Sequence, residues 1–228
     1  MRSDGRTDIG KKRVQNQDSI FFTDEPIGPL PNLYIVADGM GGHKAGDVAS
    51  KTAIECVTEY IKESAINNSV SVLKRAILYA NDKIYKMAKE NEDWKGMGTT
   101  LVAAVCEDNI LYVAKIRQVT MDHSLVEELI RSGQLDRNKG RNHPEKNIIT
   151  RALGISDKIM TDFFELEMKQ GDEILLCSDG LSNMLEDDEI KEIVLESSGD
   201  ITAAVEKLID RANYYGGRDN ISVVVAVK

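Results

Sequence analysis

The sequence predicts an α+β fold in a single domain, residues 1–228, with mainly antiparallel sheets covered by pairs of helices. Three observations carry this. At least six short apolar segments have the alternation or β-branched content of strands. Four longer segments repeat apolar residues at helical spacing and come in pairs, two in the first half and two near the end. The strands fall mostly in hairpins, without the strict βαβα alternation of a doubly wound sheet. No linker, repeat or low-complexity stretch divides the chain.

Taken in order, Met1–Gly10 is polar and lacks the apolar core of a secretion signal, and Lys11–Asp18 is charged. Ser19–Thr23 reads as a short strand, and the proline-rich Asp24–Asn32 as a loop. Leu33–Tyr34–Ile35–Val36–Ala37–Asp38 is an apolar strand ending in an acid, followed by Gly39–Met40–Gly41–Gly42–His43. Gly39, Gly41 and Gly42 are expected to turn the chain with positive φ and to let backbone carbonyls approach a small ion. Asp47 to about Ser64 carries Ala49, Thr52, Ala53, Cys56, Val57 and Tyr60 at helical spacing, and Ser71 to about Asn91 carries Leu73, Ile77, Ala80, Ile84 and Met87. Asn67–Asn68–Ser69 joins the two helices and offers an N-cap.

After the break at Gly96–Met97–Gly98, Thr99–Cys106 and Ile110–Ala114 form a hairpin through Glu107–Asp108–Asn109. Ser124–Ser132 is a short helix, and Gly133–Asn147 is a polar surface loop without periodicity. Met160–Met168 alternates as a strand, and Glu173–Ser178 is a second strand, ending in Asp179–Gly180. Helices near Asp187–Leu195 and Thr202–Asn213 lead through a glycine-containing loop to Asp219–Asn220 and the strand Ile221–Val227.

The apolar-strand-then-Asp-Gly pattern therefore occurs twice, at Asp38–Gly39 and at Asp179–Gly180, and a third acid, Asp219, stands just before a strand. If these strands are neighbours, three carboxylates meet at one sheet edge. Such a cluster is unfavourable without a cation. Hard oxygens without nearby His or Cys suit Mg²⁺ or Mn²⁺ rather than Zn²⁺. The alternative is three independent turn aspartates. The formal net charge of −9 argues against a nucleic-acid backbone or an anionic membrane surface as partner. Apolar residues make up 42% of the chain, enough for a sizeable core, yet no run approaches a membrane span. Cys56, Cys106 and Cys177 are widely spaced in apolar segments and read as reduced thiols of a cytoplasmic protein.

Eight motifs appear in a fixed order: Arg13–Val14–Gln15–Asn16–Gln17–Asp18, Val36–Ala37–Asp38–Gly39–Met40–Gly41–Gly42–His43, Gly96–Met97–Gly98–Thr99–Thr100, Asp122–His123–Ser124, His143–Pro144, Ile149–Thr150–Arg151–Ala152–Leu153–Gly154, Cys177–Ser178–Asp179–Gly180–Leu181–Ser182 and Arg218–Asp219–Asn220–Ile221–Ser222. In this the chain resembles the bacterial-type PP2C (PPM) metal-dependent protein serine/threonine phosphatases, from Thr7 to the C-terminus. The resemblance implies a central β-sandwich flanked by helix pairs. It implies two Mn²⁺ or Mg²⁺ ions, with Asp38 bridging them, Gly39 contributing its carbonyl, and Asp179 and Asp219 completing the first shell of ligands. Asp18 would be a ligand or an acceptor beside the centre, and Asn220 would orient Asp219 or a water. Arg13 would bind the substrate phosphate, its planar fork matching the oxygens of a dianion. The implied reaction is direct hydrolysis of phosphoserine or phosphothreonine by a metal-bridging hydroxide. The high pKa of the leaving alkoxide invites an acid. Some members place a His directly after the Asp-Gly, where this chain has Met40, so His43 is the candidate, with a metal-bound water as the alternative. The implied partners are phosphorylated proteins and a Ser/Thr kinase whose signalling it reverses, with the phosphatase itself a monomer. Gly133–Asn147 corresponds to the family's variable flap.

The chain departs from the family at Ala114–Lys115, where a Val-Gly-Asp-Ser-Arg segment with a strand and turn is absent. Ile110–Thr120 then holds no turn residue and as one strand would span about 35 Å, longer than usual. The missing segment carries an aspartate for a third, weaker metal site. Its absence raises a second reading, a non-catalytic module that reads phosphoproteins. A third, nucleotide binding by the glycine loop, lacks both GxxxxGK[ST] and GxGxxG spacing.

Overall fold

The computed structural model describes residues 1–42, 45–114, 126, 129–130, 132, 152–197 and 199–228. The described strands form two antiparallel sheets. In the larger, β2 (Asp18–Thr23), β3 (Leu33–Met40), β5 (Val102–Glu107), β6 (Ile110–Ala114) and β7 (Phe163–Glu167) lie side by side in that order, with the two-residue β4 (Gly98–Thr99) added to the end of β3. In the smaller, β9 (Ile221–Val227) lies between β1 (Arg2–Asp8) and β8 (Glu173–Cys177).

Each sheet buries both faces. On β3, Tyr34 and Val36 point into a shared core with Leu176, Val224 and Ala226 of the smaller sheet. Leu33 and Ile35 point the other way, against α1 (Ala45–Glu63) and α2 (Ser69–Glu90). On β9, Val224 and Ala226 face the sandwich, while Ile221, Val223 and Val225 pack under α3 (Asp179–Ser182), α4 (Asp187–Glu196) and α5 (Ile201–Tyr214). The order is helices, sheet, sheet, helices, which is why β3 and β9 are apolar nearly throughout rather than alternating. The predicted N-cap is present: Asn68 Oδ1 accepts from the Ser71 N–H at 2.9 Å. The β5–β6 hairpin turns through Asp108, whose φ of 54° is tolerated by a short polar residue.

Three differences from the sequence reading matter. The polar N-terminus is a strand, β1, paired with β9 from Arg2↔Val227 to Asp8↔Ile221. Its residues are all exposed or half-buried, so it carries no hydrophobic period, and its order comes from backbone pairing with an apolar neighbour. The smaller sheet turns directly from β8 into a single helical turn, α3, with Asp179 as its first residue. The three acid-bearing strands do not share a sheet: β3 is in the larger and β8 and β9 in the smaller. Lys115–Thr120, most of Ser124–Ser132 and all of Gly133–Asn147 lie outside the described residues.

Candidate metal centre

The site forms where the two sheets end together. β2 begins at Asp18, and its register with β3 sets Asp18 directly opposite Asp38. Residues opposed in this way hold their Cβ atoms about 5 Å apart. The Asp38 backbone is clamped by the segment after β4. Its N–H donates to Thr100 Oγ1 at 3.2 Å, and its carbonyl accepts from the Thr100 N–H at 2.9 Å and from Thr99 Oγ1 at 3.0 Å. Asp179 and Asp219 stand on the smaller-sheet side, just past the end of β8 and just before β9, near enough for their charges to act on Asp38. Asp219 is held at both oxygens: the Asn220 N–H donates to Oδ1 at 2.8 Å, and Arg13 Nη2 donates to Oδ2 at 2.7 Å.

The electrostatics show the convergence. Burial, then the charges of Asp18, Asp179 and Asp219, push the Asp38 carboxyl well above the usual carboxylate range, with Arg13 opposing them. Asp18 is 5% exposed, and burial raises its carboxyl as well. Hydrogen bonds from Ser178 and Ser222 counter that rise, the Asp219 charge adds to it, and Arg13 again lowers it. Carboxylates crowded in this way are repulsive until a cation joins them.

Glycine has a different use here from the one expected at two of three positions. Of Gly39, Gly41 and Gly42, only Gly41 takes a positive φ, 148°. Gly39 is required by space, since a Cβ there would stand 2.0 Å from the Gly46 carbonyl oxygen. Nothing crowds Gly42. Gly180 repeats the case of Gly39: a Cβ would stand 1.8 Å from the Asn220 oxygen, so only glycine lets the Asp179 turn close on the Asp219 segment.

Of the residues singled out in the sequence, Arg13, Asp18, Asp38, Gly39, Asp179, Asp219 and Asn220 all lie on this end of the sandwich. The Arg13 side chain is half exposed and paired with Asp219. The Asn220 side chain staples the segment that carries Arg13. Its Oδ1 accepts from the Gln17 N–H at 2.9 Å, and its Nδ2 donates to the Ile9 and Gln15 carbonyls at 2.9 and 3.0 Å. His43 lies outside the described residues. Sequence reasoning passed over Ser178 and Ser222, whose hydroxyls contact Asp18, and Thr99 and Thr100. For Ser222 a signal existed: it is the one polar residue in the strand Ile221–Val227.

The donors fit hard divalent cations. They are oxygens alone, and the like charges of Asp18 and Asp38 oppose each other on fixed backbone. Among the described residues no group of three His, Cys, Asp or Glu side chains is placed closely enough to hold a metal ion. The oxygen donors themselves are the type that suits Mg²⁺ or Mn²⁺ rather than Zn²⁺.

A family model described as protein phosphatase 2C matches residues 7–221. Serine/threonine phosphatase stp of Listeria monocytogenes is 39% identical over 243 residues, covering 99% of this chain and 95% of that protein. Protein phosphatase PhpP of Streptococcus pneumoniae is 38% identical over 237 residues, covering 96% and 94%. Both alignments run over more positions than the 228 residues of this chain, so these relatives carry residues without a counterpart here. Among solved structures, Stp1 from Staphylococcus aureus matches with a TM-score of 0.89 at 31% identity, covering 99% of this chain and 94% of that one. The catalytic domain of the serine/threonine phosphatase PstP, in complex with two manganese ions, matches with a TM-score of 0.85 at 30% identity, covering 99% and 97%. With a family match along nearly all of its length and the same fold as these phosphatases, the chain belongs to the protein phosphatase 2C family.

Proposed function

We propose that this protein hydrolyses phosphoserine and phosphothreonine in proteins with the help of two Mn²⁺ or Mg²⁺ ions. The observation that carries the reading is the opposed pair Asp18 and Asp38, within reach of the charges of Asp179 and Asp219, with the half-exposed guanidinium of Arg13 beside them. Asp38, the Gly39 carbonyl, Asp179 and Asp219 are the proposed ligands, and Asp18 is a ligand or an acceptor at their side. When bound, the ions neutralise these carboxylates and make water a stronger nucleophile at neutral pH.

This chain's own residues do the rest. Arg13 presents a planar, permanently charged fork to the phosphate dianion, orienting it and offsetting its charge. In the structure that fork is engaged by Asp219, so binding a phosphate exchanges one anionic partner for another. Asn220 keeps the Arg13 segment against the start of β9, so the fork and the carboxylates stay in register. His43 is the sequence candidate for protonating the leaving alkoxide, being the one side chain of its stretch that titrates near neutrality. Nothing in the comparisons supports a non-catalytic reader: the relatives and neighbours described above are all named phosphatases.

The test is phosphate release from phosphoserine and phosphothreonine peptides with millimolar Mn²⁺. Asp38→Asn is expected to lower kcat/KM by at least about 100-fold, beyond the usual effect of losing a residue that merely supports a ligand. Arg13→Ala is expected to raise KM by about tenfold or more, the equivalent of a charge-assisted hydrogen bond. No release by the wild-type protein from either peptide sinks the proposal.

A further inference from the structure

The acceptors and donors around Asp18 form a closed ring that draws on both sheets. Asn16 Oδ1 accepts from the Asp18 N–H at 3.1 Å, and Asn16 Nδ2 donates to Thr7 Oγ1 at 2.8 Å. Thr7 Oγ1 and Ser222 Oγ are 2.7 Å apart, and Ser222 Oγ is 2.7 Å from Asp18 Oδ2. A hydroxyl has a single proton, and a carboxylate only accepts. With Asp18 ionised, the ring has one consistent direction: Asn16 donates to Thr7, Thr7 to Ser222, and Ser222 to Asp18. The three side-chain donors all run towards the carboxylate, an arrangement in which each hydrogen bond polarises the next.

The ring also crosses the sandwich. Asp18 opens β2 of the larger sheet, whereas Thr7 and Ser222 belong to the paired strands β1 and β9 of the smaller one. Ser222 is fully buried, and its backbone is pinned in turn: its N–H donates to Ser178 Oγ at 3.0 Å, and its carbonyl accepts from the Ser178 N–H at 3.0 Å. The hydroxyl therefore projects from a rigid strand, not from a mobile side chain. An otherwise apolar strand has no packing reason for a polar residue at this position, since alanine fills the same space.

We propose that Ser222 is a positioning residue of the metal centre, holding the Asp18 carboxylate from the opposite sheet through this ring. It fixes the Asp18–Asp38 side of the centre, on the larger sheet, against the start of β9, next to Asp219, on the smaller one. The inference rests on the metal centre proposed above.

The test is Mn²⁺ titration by calorimetry on the wild-type protein and on Ser222→Ala, Ser222→Thr and Thr7→Val, together with the melting temperature of each in EDTA. The expected result is Mn²⁺ binding about tenfold weaker in Ser222→Ala, the size seen when a ligand loses its supporting hydrogen bond. Ser222→Thr restores the donor and regains most of the affinity. Thr7→Val leaves the Ser222 proton in place but undirected, and gives a smaller loss. Melting temperatures in EDTA stay close to that of the wild type, because the effect is on the loaded site. A purely structural serine predicts the reverse, a lower melting temperature in EDTA with Mn²⁺ affinity unchanged, and that result overturns the proposal. So does a Ser222→Thr variant that binds no better than Ser222→Ala. A wild-type protein that binds no Mn²⁺ overturns the metal centre and this inference together, whereas wild-type binding with equal affinity in Ser222→Ala overturns this inference alone.

Discussion

Asp38 shows what the proposed metal centre costs the fold in the absence of ions. Its carboxyl is raised well above the ordinary aspartate value of about 3.9, first by burial and then by the other carboxylates. Between that value and its raised value, the folded chain holds a proton that the unfolded chain has released. Stability from this group is therefore full below about pH 3.9 and declines as pH rises through the folded value. In EDTA, Asp38→Asn is expected to be more stable than the wild type, by a margin that widens from about pH 4 towards neutrality. Urea midpoints across that range check this; a margin that is flat with pH refutes the electrostatic account. Asp38 was legible as a site residue because an acid at the end of an apolar strand, repeated at Asp179, is a pattern in the sequence itself. Its hydrogen-bond surroundings were not, because Thr99 and Thr100 come from a distant part of the chain.

Among the elements, periodicity found α1, α2, α4 and α5 to within two residues at each end, because each turns an apolar side to the core it packs in, α4 largely against α5. The same argument separates positions within these helices. Leu208 on α5 is fully buried against β9, whereas Leu195 on α4 is 61% exposed. Leu208→Ala is expected to cost about 2–5 kcal/mol of unfolding free energy. Leu195→Ala should stay within about 0.5 kcal/mol. Denaturant unfolding of the two variants is the check, and equal effects would contradict the layer assignment. β1 escaped the same reading because it has no apolar face to reveal it. Gly5 marks the reason: a Cβ there would stand 2.9 Å from Val224 Cγ2 and 3.0 Å from the Val223 oxygen, so the strand contributes close backbone rather than side chains.

Across the whole molecule, the proposed centre joins two sheets that otherwise meet through an apolar core. Asp18 and Asp38 come from one sheet, Asp179 and Asp219 from the other. A cation bound between them favours only the folded state, so Mn²⁺ should raise the melting temperature and EDTA should reverse the rise. At a concentration one hundred times its Kd, the expected gain is about 2.7 kcal/mol. Differential scanning calorimetry measures it, and an unchanged melting temperature would show that no such linkage exists. The helix pairs, the buried strands, the repeated acid at strand ends and, through eight ordered motifs, the family were legible in the residues alone. These depend on local periodicity and on residue types set close together in the chain. Three things became visible in the folded chain alone: the acids lie on two sheets rather than one, Gly39 and Gly180 serve close approach rather than a turn, and Ser222 faces Asp18. Each of these is a contact between residues far apart in the chain, and no local pattern encodes which distant backbone a residue will meet.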